Sequence, residues 1–273
     1  ERRKSPKSEK MKLGITVSSV AAAIFSIEVG SVGIMQYSAL VPCTISSLVA
    51  SSIGKSLGCE TPNYLIKGIT EFNLLTGGKT ILLACLCAGI SVIFCIMLHS
   101  FGKVFKTFSS NPYERVFFGG TVILCITLIL GTTRYSGTGI EVITSAIGGT
   151  ARNSDFFWKM LFTAITLACG YKGGEIIPSF FVGATFGCVI APVLGLSSSL
   201  GAAIGMVSVF CGVTNCPIAS LLIALELFGK APILYFLLAI AISYMLSGYY
   251  SLYKTQIIAV SKYKNEYVDK KTH

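Results

Sequence analysis

Long stretches of this chain carry no charge, and a water-soluble fold has no use for so many of them. From Ile176 to Leu225 there is not one Asp, Glu, Lys or Arg, and 80–102, 116–133 and 231–253 are equally bare. Between Lys12 and Lys55 the sole charge is Glu28. About 20 apolar residues suffice to cross the hydrocarbon of a bilayer as a helix. Only 12% of the 273 residues are charged, against about 25% in a soluble domain. Backbone polar groups in lipid must be satisfied within the segment, so the expectation is an all-α, polytopic, multi-pass membrane protein.

The net charge of +10 gathers at the ends. Arg2, Arg3, Lys4, Lys7, Lys10 and Lys12 precede the first apolar block, and Lys254, Lys262, Lys264, Lys270 and Lys271 follow the last. Basic flanks favour the cytoplasmic side. Nucleic-acid binding, the competing reading of basic ends, is set aside because these residues flank lipid-length spans. Nine of the ten cysteines lie in apolar stretches and Cys59 in a loop. Buried cysteine behaves as a small hydrophobe. The Cys85/Cys87 pair has no partners at zinc spacing, so neither a metal site nor a cofactor is expected.

Along the chain the divisions are a basic segment at 1–12, an apolar block at 13–54, a polar loop at 55–79, a long transmembrane region at 80–253 and a basic cytoplasmic tail at 254–273. The first block is interrupted near Gly30, Gly33 and Pro42 and so holds two helices. Asn111-Pro112 opens another segment, 134–149 reads as a short broken helix, and 156–170 as a further helix with Trp158 at the interface. The run 176–225 must contain several elements, because glycines and prolines interrupt it. Short, broken helices at membrane depth must be covered by protein or line a cavity, and they point to transporter-type sites. Gly183 and Gly187 also fit close helix packing.

Ile24-Phe25-Ser26-Ile27-Glu28-Val29-Gly30 resembles Leu222-Ile223-Ala224-Leu225-Glu226-Leu227-Phe228, which suggests duplicated halves. The chain then reads as the second half of a larger protein plus the end of the first. Glu28 and Glu226 each end an apolar run. They are either proton-relay groups or carboxylates satisfied by backbone N–H groups at helix boundaries, the second being the simpler reading.

Gly170-Tyr171-Lys172-Gly173-Gly174-Glu175-Ile176-Ile177-Pro178 is the most informative motif. It sets a glycine pair, a carboxylate and a helix-starting proline at the head of the longest uncharged run. A helix N-terminus inside a membrane presents free N–H groups, and the natural occupant is an anion. An ionisable Glu175 beside it suggests proton or ion traffic. Asn73 to Thr80 resembles a phosphate-binding loop but lacks its first glycine and the following βαβ unit. His99 and His273 are the only histidines, no Ser/His/Asp constellation appears, and His99 reads as interfacial.

Gly173-Gly174-Glu175-Ile176-Ile177-Pro178 resembles the glycine-glycine-x-x-x-proline signature of the voltage-gated chloride channel (CLC) family, with Glu175 closest to its fluoride/proton antiporter branch. Ile24 to Val29, Asn215 to Glu226 and Gly248 to Tyr253 are similar to three further stretches of that family. The resemblance implies an inverted-repeat fold of tilted, broken helices, a homodimer in the lipid bilayer, and transport of chloride or fluoride, coupled to protons in an antiporter. It implies an anion site of Gly173, Gly174, Glu175, Ile176, Ile177 and Tyr253. The amides of Glu175 and Ile176 face the anion, the Tyr253 hydroxyl donates to it, and Glu175 couples protons. Val29 stands where other branches carry an internal proton glutamate, as in the fluoride branch. Ile177 stands where that branch tends to have threonine, which leaves the choice of anion open. A non-transporting membrane scaffold is the alternative, and an intramembrane enzyme lacks a nucleophile–base pair.

Overall fold

The computed structural model describes residues 19–58, 63–108, 110–264 and 266–272. The basic segment at 1–12, Cys59 and His273 lie outside the described residues. The helices run α1 (Ser19–Glu28), α2 (Leu40–Ser56), α3 (Leu74–Phe108), α4 (Pro112–Leu130), α5 (Ile140–Ile147), α6 (Asp155–Ala168), α7 (Ile176–Ile190), α8 (Ser198–Thr214), α9 (Pro217–Phe228) and α10 (Ile233–Leu246). Three short strands, β1 (Ser31–Val32), β2 (Ile257–Val260) and β3 (Tyr267–Lys271), complete it. The protein is an integral, multi-pass membrane protein. Among the described residues, four helical stretches are long and apolar enough to cross a bilayer, at 37–56, 74–107, 112–130 and 176–194. The 12-residue α9 and 14-residue α10 fall short of a full crossing.

Local chemistry sets the boundaries. Asn111 caps α4 by accepting from the Tyr113 N–H, Pro112 takes the first helical position, and Gly131 closes the helix at φ 60°. Ser197 caps α8 by accepting from the Leu200 N–H, and Asn215 ends it at φ 59°. The Asn73 to Thr80 stretch is a helix cap, with Asn73 Oδ1 accepting from the Thr76 N–H and Thr76 Oγ1 from the Asn73 N–H, both at 2.9 Å. This reciprocal cap starts α3 at Leu74, several residues before the expected end of the polar loop. Pro42 does not break the first block: it sits in the first turn of α2, where its missing N–H costs no helical bond. The break falls at 29–39 instead.

The centre of the molecule is the α7–α8 pair. From Ser199 to Thr214 α8 is buried on every side, as a helix that is apolar all round must be. Glycines set the approach: a Cβ on Gly183 would strike the Gly205 carbonyl, and one on Gly187 the Gly201 carbonyl. Gly183 and Gly187 therefore serve helix packing. By contrast α2 and α4 expose apolar side chains such as Ile45, Leu48, Phe117, Leu124 and Leu128, the surface expected to face hydrocarbon.

The two similar segments lie against each other. Glu28, at the end of α1, accepts from the Ile218 and Ala219 N–H groups at 3.1 and 2.8 Å, at the start of α9. Glu226, near the end of α9, accepts from the Ala21 N–H near the start of α1 at 3.4 Å. The two helices are thus antiparallel and related by an approximate two-fold. The small sheet departs from the all-helical expectation. β2 pairs in parallel with β1 and antiparallel with β3, tying the C-terminal segment to the turn between α1 and α2.

Candidate anion site

The site is built where α6 hands over to α7. Gly170, at φ 101°, turns the chain out of α6 in a conformation that favours glycine. Residues 171–174 follow without regular structure, and Tyr171 is pinned by donating its hydroxyl to the Val116 carbonyl at 3.1 Å. Glu175 is the N-cap of α7, and its side chain makes no capping bond. The first helical bond runs from the Ser179 N–H to the Glu175 carbonyl. The N–H groups of Glu175, Ile176 and Ile177 therefore precede the ladder, and Pro178 has none to offer. Orphan donors at the positive end of a helix make an anion-binding terminus.

These residues open onto a cavity of about 830 Å³. Gly173, Gly174, Glu175, Ile176 and Ile177 form one part of its wall, and Tyr253 another. All six residues expected from the sequence are brought together, although Tyr253 is distant in the chain. Tyr253 lies in the irregular segment after α10. There the Leu252 N–H donates to the Val213 carbonyl at 2.9 Å, and the Tyr253 carbonyl accepts from the Gln256 N–H at 3.1 Å and from Thr272 Oγ1 at 2.8 Å. Asn215 and Gln256 anchor this segment to the break between α8 and α9. Asn215 donates to the Tyr250 carbonyl and to Gln256 Oε1, and Gln256 Nε2 donates to the Val29 and Thr214 carbonyls.

The same cavity holds groups that sequence reasoning missed. His99 and Lys106 of α3 and Lys254 line it. The Lys254 ammonium acts electrostatically on both Glu175 and His99. His99 faces the cavity with Nε2 buried and unpartnered. No spacing rule links His99 to Lys254; only the packing of α3 against the tail does. Glu226 also lines the cavity while holding the Ala21 N–H. Glu28 is 7% exposed and satisfied by backbone N–H groups, the helix-boundary role. Among the described residues no cluster of His, Cys, Asp and Glu could hold a metal ion, and nine of the cysteines are free thiols.

Comparison with known proteins identifies the family. The family description "Voltage gated chloride channel" matches residues 17–248. A "Chloride/fluoride channel protein" of Pseudomonas syringae pv. tomato (strain ATCC BAA-871 / DC3000) is 33% identical over 255 residues, covering 89% of this chain and 55% of its own length. The crystal structure of a CLC-type fluoride/proton antiporter superposes with a TM-score of 0.84 at 28% identity, over 88% of this chain and 61% of that one. The chain thus spans little more than half the length of these relatives. With that family matched over residues 17–248 and a relative 33% identical across 89% of the chain, the chain belongs to the voltage-gated chloride channel family.

Proposed function

We propose that this chain forms the α7-side wall of a transmembrane anion pathway for chloride or fluoride, in a channel-like protein or a proton-coupled antiporter. One observation carries the reading. The head of α7 and Tyr253, far apart in sequence, line one cavity. The helix terminus is positive, and in the wall Lys106 and Lys254 offset the carboxylates of Glu175 and Glu226.

In this reading the amides of Glu175 and Ile176 and the Tyr253 hydroxyl replace part of the anion's hydration shell, with Gly173 and Gly174 letting the backbone approach closely. Ile177 adds an apolar side chain that excludes water. Glu175 carries the proton, because it is the carboxylate at the anion-facing turn and is free of a capping bond. The assembly is a homodimer embedded in the bilayer. The tail and the end of α3 face the cytoplasm, since Lys103, Lys106, Lys254, Lys264, Lys270 and Lys271 gather on that side.

The test is Glu175→Gln in the protein reconstituted in vesicles, with anion efflux and external pH recorded together. Proton movement should be lost while anion binding survives, because the backbone donors remain. Unchanged proton movement would remove Glu175 from the coupling and leave it as a helix cap.

A further inference from the structure

The β2–β3 hairpin has features that anion transport does not use. It sits at the end of α10: the Tyr263 hydroxyl donates to the Met245 carbonyl at 2.8 Å, and Met245 and Leu246 expose apolar side chains beside it. The Tyr249 and Tyr263 rings meet edge to face with centroids 5.9 Å apart. Tyr267 is 85% exposed. Tyrosines at the end of a membrane helix mark the level of the lipid headgroups.

A bulge in β3 sets what the hairpin presents. Ile258 faces Lys270 and Val260 faces Tyr267 across the pair, so β3 carries one residue more than β2 between these positions. Asp269 absorbs the irregularity at φ 42°. Strict alternation would put Lys270 on the face opposite Tyr267, and the extra residue brings both to one face. Lys271 pairs with Ile257 on the other. Lys264, Lys270 and Lys271 are exposed, and among the described residues none forms an ion pair. Lys262 is different: its ammonium is occupied by the Asn215 side chain, the Tyr244 carbonyl and Ser247 Oγ. Glu266 and Asp269 are the acidic residues of the hairpin, leaving the surface net positive.

We infer that the β2–β3 hairpin docks anionic phospholipid headgroups of the leaflet on its own side, with Lys264 and Lys270 meeting the phosphates, Tyr263 and Tyr267 seated at headgroup depth, and Lys271 adding positive charge from the other face. The charge is complementary, and the exposed tyrosines beside the end of α10 are the residues that suit headgroup depth. A lysine near an anionic surface contributes about a fivefold preference. Docking would hold β2 in place, and through it the segment carrying Tyr253.

The test places a fluorophore at the surface. Tyr267→Trp in a Trp158→Phe background leaves one indole in the chain. The protein is reconstituted with brominated phosphatidylglycerol diluted in ordinary phosphatidylcholine, or the reverse. Quenching should be several-fold stronger with the anionic bromolipid, and changing Lys264, Lys270 and Lys271 together to Gln should erase the preference without altering the elution profile. Equal quenching by both lipids, or a preference that survives the triple change, overturns the inference. So does a hairpin indifferent to lipid charge that binds a soluble acidic peptide, which would make it a protein-docking surface.

Discussion

Glu28 and Glu226 cap each other's helices: the carboxylate ending α1 holds the first N–H groups of α9, and the carboxylate near the end of α9 holds one at the start of α1. This exchange gives the repeated apolar-then-glutamate segments a structural reason. The 12-residue α9 is too short to span a bilayer, so it begins at a depth where water cannot satisfy its free donors.

Glu28→Ala should therefore lower stability by about 1–3 kcal/mol, the cost of leaving buried donors unpaired. Glu28→Gln should cost less, since one acceptor oxygen remains. Glu226→Ala should also cost less, because its bond at 3.4 Å is long. Fluorescence-detected size exclusion after heating would rank the three variants, and a Glu226 variant weaker than Glu28→Ala would contradict the ranking.

Glycines in different helices should respond oppositely to alanine. Gly187→Ala puts a methyl into the Gly201 carbonyl on the facing helix, and overpacking of this kind costs about 1–3 kcal/mol. A methyl on Gly89 in α3 would meet nothing within 4 Å. Gly89→Ala should be neutral or stabilise by about 0.4–1 kcal/mol by restricting the unfolded chain. Melting temperatures in one detergent would decide.

Tyr253→Phe should weaken anion binding by about 1.5–3 kcal/mol at most, the scale of one hydrogen bond to a charged group, and leave the fold intact. The segment is held by backbone and by Thr272, and not by the Tyr253 hydroxyl. Titration calorimetry with fluoride and chloride salts would measure it. Unchanged affinity for both anions would take the hydroxyl out of the site.

Burial pushes the Lys262 ammonium down from the usual 10.5 to about 8. The unfolded chain then binds more protons than the native one between those values. Through this group, stability should rise with pH from about 8 to 10.5. Below about 8 both states are protonated and the contribution no longer varies. Lys262→Met should flatten the slope in that window, read as the difference between two melting-temperature series across pH.

Much of the fold was legible along the chain. Uncharged runs announced the membrane, because charge in hydrocarbon is costly wherever the chain goes. Asn111-Pro112 announced α4, because a cap and its proline act within one turn. Gly173 to Pro178 announced the start of α7 for the same local reason. The capping role of Asn73 and Thr76 was equally local and was hidden by its likeness to a phosphate loop. Other features depended on contacts between distant segments. The sheet escaped notice because β1 is two residues long and exists only through its pairing with β2. His99, Lys106 and Lys254 join Glu175 and Tyr253 because α3 and the tail pack around α7. No spacing encodes that meeting, because it depends on how whole helices bury their faces against one another.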